Sequence, residues 1–270
     1  MKNSNRHRIH RIFEVFALTL LVVVNINCST AKKLDSVEAT SKPEVAPVKD
    51  QRAIDELKNI GKALSAANSI QFRAVTMSPV RGPNEQWVHV FSTSDVKLQR
   101  PNQLFIATGG DAFPQKFYFD GTYLAVHSAE TKLYTQTNMP GSIDTMLALT
   151  SKHGGTSFAF SDVLLEDPFA SWNHELLGAI FVGESVREGE KLKHIALTAK
   201  GVDWEMWVNA KTHLPRTVYV KYTTGHRAPS VMIEFSKWRL NSKINESNFI
   251  FKAPKGTNKA NLKAPEGAKL

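Results

Sequence analysis

Nine histidines make a metal site or a catalytic site the first hypothesis to test on this chain of 270 residues. His174-Glu175 begins like the zinc-binding motif of metalloproteases, but the second histidine of that motif is missing downstream. His7 and His10 lie near the N-terminus. The remaining histidines occur singly, without the short paired spacing of metal ligands: His89, His127, His153, His194, His213 and His226. The sequence therefore predicts no metal site.

The sequence also contains little that indicates nucleophilic or acid–base catalysis. The chain has no Gly-x-Ser-x-Gly motif, and the one cysteine, Cys28, has no plausible catalytic setting. The glycine clusters at residues 109–111 and 154–155 lack the pattern of a phosphate-binding loop. Asp203 and Glu205 share one face of a predicted strand and could form an acid–base pair, although a solvated outer face explains them more simply. We therefore predict a protein that is not an enzyme and uses no cofactor, with a hydrolase as the weaker alternative.

Composition and charge narrow the class of protein further. The chain is 42% hydrophobic and 22% charged, which is typical of globular domains, and one cysteine excludes an intrachain disulfide. The net charge of +9 is spread along the sequence, whereas nucleic-acid binding needs lysines and arginines clustered on one face. A weak attraction to the anionic surface of a membrane stays open. We predict one β-rich domain, monomeric and without a nucleic-acid partner.

Residues 1–31 form a signal for export. Arg6, Arg8 and Arg11 supply its positive end, and the apolar run at residues 15–24 is shorter than the roughly 20 residues that span a bilayer. Two endings compete. Either Cys28 becomes the lipidated first residue of a lipoprotein, although Asn27 is unusual before such a cysteine, or cleavage follows residue 31 and removes Cys28. Both endings predict an exported protein.

Three helices are predicted, after a flexible linker at residues 32–49 that is rich in polar residues and proline. Residues 50–69 repeat apolar side chains at helical spacing behind a capping residue, Asp50. Residues 142–153 form the second predicted helix, and residues 162–172 form a short third one. The last two helices lie together in the middle of the chain, where a lid over a sheet would be inserted.

The rest of the chain has the pattern of antiparallel strands. Asp120-Gly121 suits the tight turn of a hairpin over residues 116–127, and Pro101 ends one strand just before the next begins. In residues 86–91 both faces are apolar or aromatic, so we expect both to be covered. Many strands at short spacing, with the helices grouped, predict an α+β fold with an antiparallel barrel or half-barrel over residues 50–256. Residues 257–270 are predicted to be a disordered basic tail.

Three motifs resemble the periplasmic lipoprotein carrier LolA and its receptor LolB, in the same order and at similar separations. They are Arg100-Pro101-Asn102, the hairpin Phe119-Asp120-Gly121-Thr122-Tyr123-Leu124, and the segment at residues 248–256. Residues 50–256 are still more similar to a bacterial family of predicted periplasmic proteins of unknown function. The counterparts in that family are Ser69-Ile-Gln-Phe-Arg-Ala74, Val202-Asp-Trp-Glu-Met-Trp207 and Leu214-Pro-Arg216.

This resemblance implies an incomplete antiparallel barrel whose helices form a lid over an apolar cavity for acyl chains. The arginine of the carrier's Arg-Pro-Asn motif hydrogen-bonds the lid backbone and controls closure, and that role falls on Arg100. A charge at the end of a strand is the alternative interpretation of Arg100. The candidate lining of the cavity consists of apolar residues on the predicted strands: Trp87, Phe91, Phe105, Phe117, Phe119, Trp204, Met206, Val218 and Val220.

The implied function is that of a periplasmic protein that binds a lipid or the acyl chain of a lipoprotein. A lipidated Cys28 would anchor it to the outer membrane. The chain differs from the carrier in its linker and its longer middle segment, so lipoprotein shuttling itself is not carried over. A periplasmic sensor or protein-interaction module on the same fold is the alternative.

Overall fold

The computed structural model describes residues 47–111, 114–152, 158–224 and 229–260. The predicted signal, Cys28, the linker as far as residue 46 and the tail beyond residue 260 lie outside the described residues. Within the described ranges, no helix is long and apolar enough to cross a bilayer.

Twelve strands of the described chain form one sheet in the order β12-β6-β5-β4-β3-β2-β1-β11-β10-β9-β8-β7. Every pair is antiparallel except β12 with β6, and the two terminal strands do not pair with each other. This open sheet confirms the predicted incomplete antiparallel barrel. The strands are β1 Ser69–Arg81, β2 Trp87–Gln99, β3 Gln103–Gly110, β4 Gln115–Phe119, β5 Tyr123–Ser128, β6 Leu133–Asn138, β7 Leu176–Arg187, β8 Glu190–Ala199, β9 Val202–Asn209, β10 Pro215–Tyr222, β11 Ser230–Leu240 and β12 Asn258–Lys259.

The helices agree with the predicted segments. Helix α1 spans Gln51–Ser65, and the Asp50 carboxylate caps it by accepting a hydrogen bond from the backbone N–H of Arg52 at 2.9 Å. Helix α2 spans Ile143–Lys152. The third predicted helix is divided, because the chain is extended at Leu165. A 3-10 turn covers Ser161–Leu164, and helix α3 covers Pro168–His174 with its proline in the first turn.

Side chains alternate across the strands, so the sheet has two different faces. The inner face carries Phe72, Val96 and Ile106, and these residues share one buried core with apolar side chains of all three helices. Phe160, beside the 3-10 turn, meets Phe72 edge to face with ring centroids 5.5 Å apart. The helices therefore lie against the inner face of the sheet.

The outer face near the β1–β2 turn is uncovered, contrary to the expectation for residues 86–91. Trp87 is 36% exposed and Phe91 is 47% exposed. The Arg81 guanidinium lies over the Trp87 ring, with its central carbon 4.8 Å from the ring centroid. Among the described residues, Arg81 therefore covers part of this aromatic end of the sheet, and Trp87 and Phe91 stay exposed.

The C-terminal strap, residues 244–260, crosses the outer face elsewhere. The Phe251 ring lies 5.4 Å from the Tyr118 ring and 5.1 Å from the Tyr134 ring, centroid to centroid. Burial raises the pKa of Tyr118. Residues 258 and 259 form β12 beside β6, so the predicted disorder from residue 257 is wrong for the first residues of the tail.

The N-terminal end of the described chain also meets an edge of the sheet. Lys49 forms a parallel bridge with Ala179 of β7, the strand at the other end of the order. The N–H of Ala179 donates to the carbonyl of Val48 at 2.8 Å, and the N–H of Asp50 donates to the carbonyl of Ala179 at 2.9 Å. The last residues of the predicted linker are thus bonded to the domain.

We expect Gly61→Ala to lower the free energy of unfolding by about 1–3 kcal/mol, as overpacking does in closely packed cores. A Cβ atom at Gly61 would overlap the Cβ of Phe169 in α3, so the two helices would have to move apart. On an exposed helix the same change would instead stabilise the protein. Lys58→Ala, at an exposed position of α1, is the matched control and should change urea unfolding little. A Gly61→Ala protein as stable as this control would contradict the close α1–α3 contact.

Candidate functional site

The turn between β2 and β3, residues 100–102, contacts three other parts of the molecule. The backbone N–H of Arg100 donates to the carbonyl of Asn68, just after α1, at 2.9 Å. The carbonyl of Pro101 accepts from the N–H of Ile143, the first residue of α2, at 3.0 Å. The Asn102 side chain packs on Gly121 of the β4–β5 hairpin, where φ is +88° and a Cβ atom would overlap the amide. This turn therefore connects the residues after α1 and the first residue of α2 to the sheet.

We call α1, α2, the 3-10 turn and α3, with the residues that directly follow them, the helical layer. The Arg100 side chain binds three backbone carbonyl groups of this layer. Its Nε donates to the carbonyl of Ala67 at 3.2 Å. Its Nη1 donates to the carbonyl of Leu164 at 3.2 Å, and its Nη2 donates to that of Leu165 at 2.7 Å. A guanidinium has five donors in a rigid plane, which suits several acceptors at once. The predicted contact between Arg100 and the backbone of the lid is present at Leu164 and Leu165, in residues 161–165, which we call the covering segment. Control of closure stays a proposal.

Burial and neighbouring carboxylates act in opposite directions on the pKa of Arg100. Burial lowers the pKa of its guanidinium, while the carboxylates of Asp144 and Glu166 raise it. An arginine keeps its charge in proteins, so the three carbonyls bind a cation. The Asp144 carboxylate also accepts from the backbone N–H of Glu166 at 3.1 Å, which links α2 to the segment after the 3-10 turn. Arg100, α2 and this segment form one connected cluster.

Six of the nine predicted lining residues lie on the inner face. Five are in the buried core, and the sixth, Val220, packs against it. On the β9–β10 side, Met206 pairs with Val218, and Trp204 pairs with Val220. The structure therefore places these residues together beneath or beside the helices: Phe117, Phe119, Trp204, Met206, Val218 and Val220.

The other three predicted lining residues are corrected by the register of the strands. Phe105 lies between the buried residues Leu104 and Ile106, so it points to the outer face, where the Lys97 ammonium is 5.6 Å from its ring centroid. Trp87 and Phe91 have the same parity as Lys97 and are exposed on that face too. None of the three shares a surface with the inner group.

Two aromatic residues of the inner face were missed because they stand outside the strands. The rings of Phe158 and Phe160 stack with centroids 5.5 Å apart. Phe158 also meets Phe117 edge to face at 5.0 Å. Sequence alternation could not find them, since they belong to the irregular segment that leads into the 3-10 turn.

Valines continue the inner face beyond the fully buried core. By strand alternation they face the same side as Ala74, Ser94 and Met206, but they are partly or largely exposed. Val88, for example, is 37% exposed. We call this group the valine end: Val80, Val88, Val90, Val202, Val220 and Val231. Thr76, Ser78 and Ser92 separate the valines of β1 and β2 from the core, whereas those of β9, β10 and β11 continue it directly. A partly exposed apolar surface of this kind is suited to an apolar ligand.

Trp204 lies where the valine end meets the core. Its side chain is 9% exposed, and no described residue accepts a hydrogen bond from its indole Nε1–H. A buried donor without an acceptor is rare in native proteins and needs an explanation. His127 Nε2, on the outer face near Phe251, is the other such atom among the described residues.

A buried ionic cluster joins α1 to strand β8 and to the turn between β9 and β10. The Glu56 side chain is 2% exposed, and its Oε2 accepts from the Lys193 ammonium at 2.6 Å. Its Oε1 lies 2.8 Å from Nδ1 of His213, in the turn between β9 and β10. Glu56 was not predicted to be a site residue, although its spacing from Ala53 and Ile60 places it on the buried side of the helix.

The predicted acid–base pair lies on the outer face. Asp203 and Glu205 alternate with the inward residues of β9. Glu205 Oε2 is 2.8 Å from Nε2 of His194, whose ring stacks on Trp207 with centroids 4.1 Å apart. These carboxylates are separated from the inner face by the sheet. In the described part of the chain, no three side chains of histidine, cysteine, aspartate or glutamate come together as a metal site would need.

One known protein family matches most of the chain. The family described as "Predicted periplasmic protein (DUF2092)" matches residues 53–263. A comparison with curated protein sequences finds no significant match.

Solved structures are similar in fold at low sequence identity. The lipoprotein LppX of Mycobacterium tuberculosis is 14% identical, with a TM-score of 0.45, over 73% of this chain and 99% of its own. A LolA superfamily protein of Nitrosomonas europaea is 10% identical, with a TM-score of 0.35, over 74% of this chain and 97% of its own. MucB is 17% identical, with a TM-score of 0.42, over 76% of this chain. The match covers only 64% of MucB, less than two thirds of its length.

Proposed function

The chain belongs to the family of predicted periplasmic proteins DUF2092, and we propose that it is an exported, non-enzymatic protein that binds a lipid or an acyl chain on the inner face of its sheet. One observation carries the proposal. On β9, β10 and β11 the inner face is apolar from the buried core to the partly exposed valine end, and an arginine holds the helical layer over part of the core. Such a surface binds hydrocarbon without specific polar contacts, at about 0.8 kcal/mol per buried CH₂ group.

Arg100 supports the proposal because it can act on the covering segment without occupying the apolar surface. Its three bonds end on backbone carbonyls, which leaves the side chains of Leu164 and Leu165 free to pack. We propose that breaking these bonds lets the segment at residues 161–165 move away from the sheet, so that Arg100 controls access to the ligand. The alternative is that Arg100 only stabilises the fold.

The membrane association of the protein is also a proposal. If Cys28 is the first residue of the mature chain and carries lipid, the residues between it and Lys49 act as a tether to the outer membrane. A tether of this kind would keep the domain near its lipid source. If cleavage follows residue 31 instead, the domain is free in the periplasm.

Mass spectrometry of the protein from its native host tests both proposals at once. Under native conditions after gentle purification, we expect the protein to retain a lipid whose mass is lost on denaturation. The denatured mass then shows whether the chain starts at an acylated Cys28 or after residue 31. An empty protein, which also fails to take up added fatty acyl lipid, would contradict lipid binding.

A protein-interaction module is the second candidate function, because the edge strand β7 exposes apolar side chains. Leu177, Ile180 and Val182 are 48%, 51% and 53% exposed. The part of this edge beyond the bridge between Lys49 and Ala179 is suited to an extended segment of another chain, since unpaired strand edges bind such segments by adding a strand. An empty protein in the experiment above would favour this candidate.

A further inference from the structure

The unpaired indole N–H of Trp204 indicates which kind of ligand the inner face would take. Neighbouring positions on the inner face cannot supply an acceptor. Trp204 is paired in register with Leu197 of β8 and Val220 of β10, and Val202 and Met206 precede and follow it on the same face. All four side chains are apolar, and the backbone carbonyls of these strands are engaged in the sheet.

The position of Trp204 places this donor at the boundary of the covered core. Met206 and Val218 on one side are 3% and 6% exposed. Val202 and Val220 on the other side are partly exposed and belong to the valine end. A molecule that lay along the valine end would therefore lie beside Trp204, at the point where the valine end meets the core.

From this arrangement we propose that the Trp204 indole N–H donates a hydrogen bond to the carbonyl oxygen of an acyl ester whose hydrocarbon chain lies along the valine end. The inference rests on the proposed lipid-binding function and specifies its ligand class. An ester suits the site better than a carboxylate, because no cation stands at the neighbouring inner positions to compensate a buried charge. It suits the site better than a pure hydrocarbon, because a hydrocarbon leaves the donor unpaired.

Two probes of similar chain length separate these ligand classes: methyl laurate, which has an ester carbonyl, and tridecane, which does not. Each is titrated into protein with ¹⁵N-labelled tryptophan, and the indole N–H resonances are followed by NMR. The resonance that disappears in Trp204→Phe identifies Trp204 among the five tryptophans. Phenylalanine keeps an aromatic ring at this position and removes the donor.

We expect methyl laurate to move the Trp204 indole proton downfield, as a new hydrogen bond does, and tridecane to leave it in place. Trp204→Phe should bind methyl laurate about five- to tenfold more weakly than the unchanged protein does, which is the effect of one hydrogen bond. It should bind tridecane equally well. Trp207→Phe is the matched control, since Trp207 lies on the outer face of the same strand, and it should bind both probes normally.

Equal affinity of the unchanged protein and Trp204→Phe for methyl laurate, with a stationary indole resonance, would overturn this inference and leave lipid binding intact. Binding of neither probe would overturn the proposed function itself. The two failures are therefore distinguishable in one set of titrations.

Discussion

Arg100→Leu will release a bound acyl lipid about 100-fold faster than the unchanged protein does, while the sheet stays folded. The guanidinium makes three hydrogen bonds to the backbone of the helical layer. Two of these bonds end on the segment at residues 161–165, and a hydrogen bond to a charged group contributes about 1.5–3 kcal/mol, so losing the two removes at least about 3 kcal/mol from the closed arrangement. That difference corresponds to roughly a 100-fold change in the population of the open arrangement. Stopped-flow release of a fluorescent fatty acyl lipid measures the effect.

Two variants make this measurement specific. Arg73→Leu removes an arginine of the outer face, where Arg73 Nη2 is 2.6 Å from the Asp95 carboxylate in an exposed pair, and it should leave release unchanged. Arg100→Lys keeps a charge but replaces the planar fork by one ammonium group, so its release rate should be intermediate. If Arg100→Leu released lipid no faster than Arg73→Leu, Arg100 would have only a structural role.

Glu56→Gln will lower the free energy of unfolding by about 3 kcal/mol, near the lower limit for breaking a buried ion pair. The change leaves the Lys193 ammonium beside a neutral amide in a place where Glu56 is 2% exposed. Lys193 and His213 are 24% and 31% exposed, and both can recover some hydration, which is why the lower limit applies. Urea unfolding followed by circular dichroism measures the loss.

A compensating variant distinguishes a buried charge from a general packing defect. Glu56→Leu combined with Lys193→Met replaces both charges by apolar side chains of similar size, and this should restore most of the stability. Glu234→Gln removes the partner of Arg187 in an exposed pair and should change unfolding far less. A double variant as unstable as Glu56→Gln would show that the charges themselves are not the cause.

Local signals in the sequence are sufficient to predict many of the helices and turns of the fold. The Asp120-Gly121 turn, the cap at Asp50 and the early position of Pro168 each act through a few neighbouring residues. The contact of Arg100 with the covering segment followed from resemblance, since no local pattern shows which carbonyls a strand-end arginine reaches.

Long-range register explains what the sequence did not predict. Trp87 and Phe105 lie in short stretches of strand whose two faces are both apolar or aromatic, so the composition of these stretches cannot tell the inner face from the outer one. Only pairing with the neighbouring strands decides the face. The β12 strand depends on a parallel contact with residues 133 and 134, more than 120 positions earlier in the chain. The spacing of apolar residues alone does not predict that Glu56 is buried, since its charge suggests an exposed position.

The two terminal segments of the described chain have a consequence for self-association. An open sheet has two edges, and unpaired edges are templates on which identical chains can polymerise into fibrils. Here β12 occupies the edge of β6, and the bridge between Lys49 and Ala179 occupies part of the edge of β7. Both terminal segments of the described chain thus oppose edge-to-edge aggregation. Deleting either one would expose the edge of the strand with which it pairs.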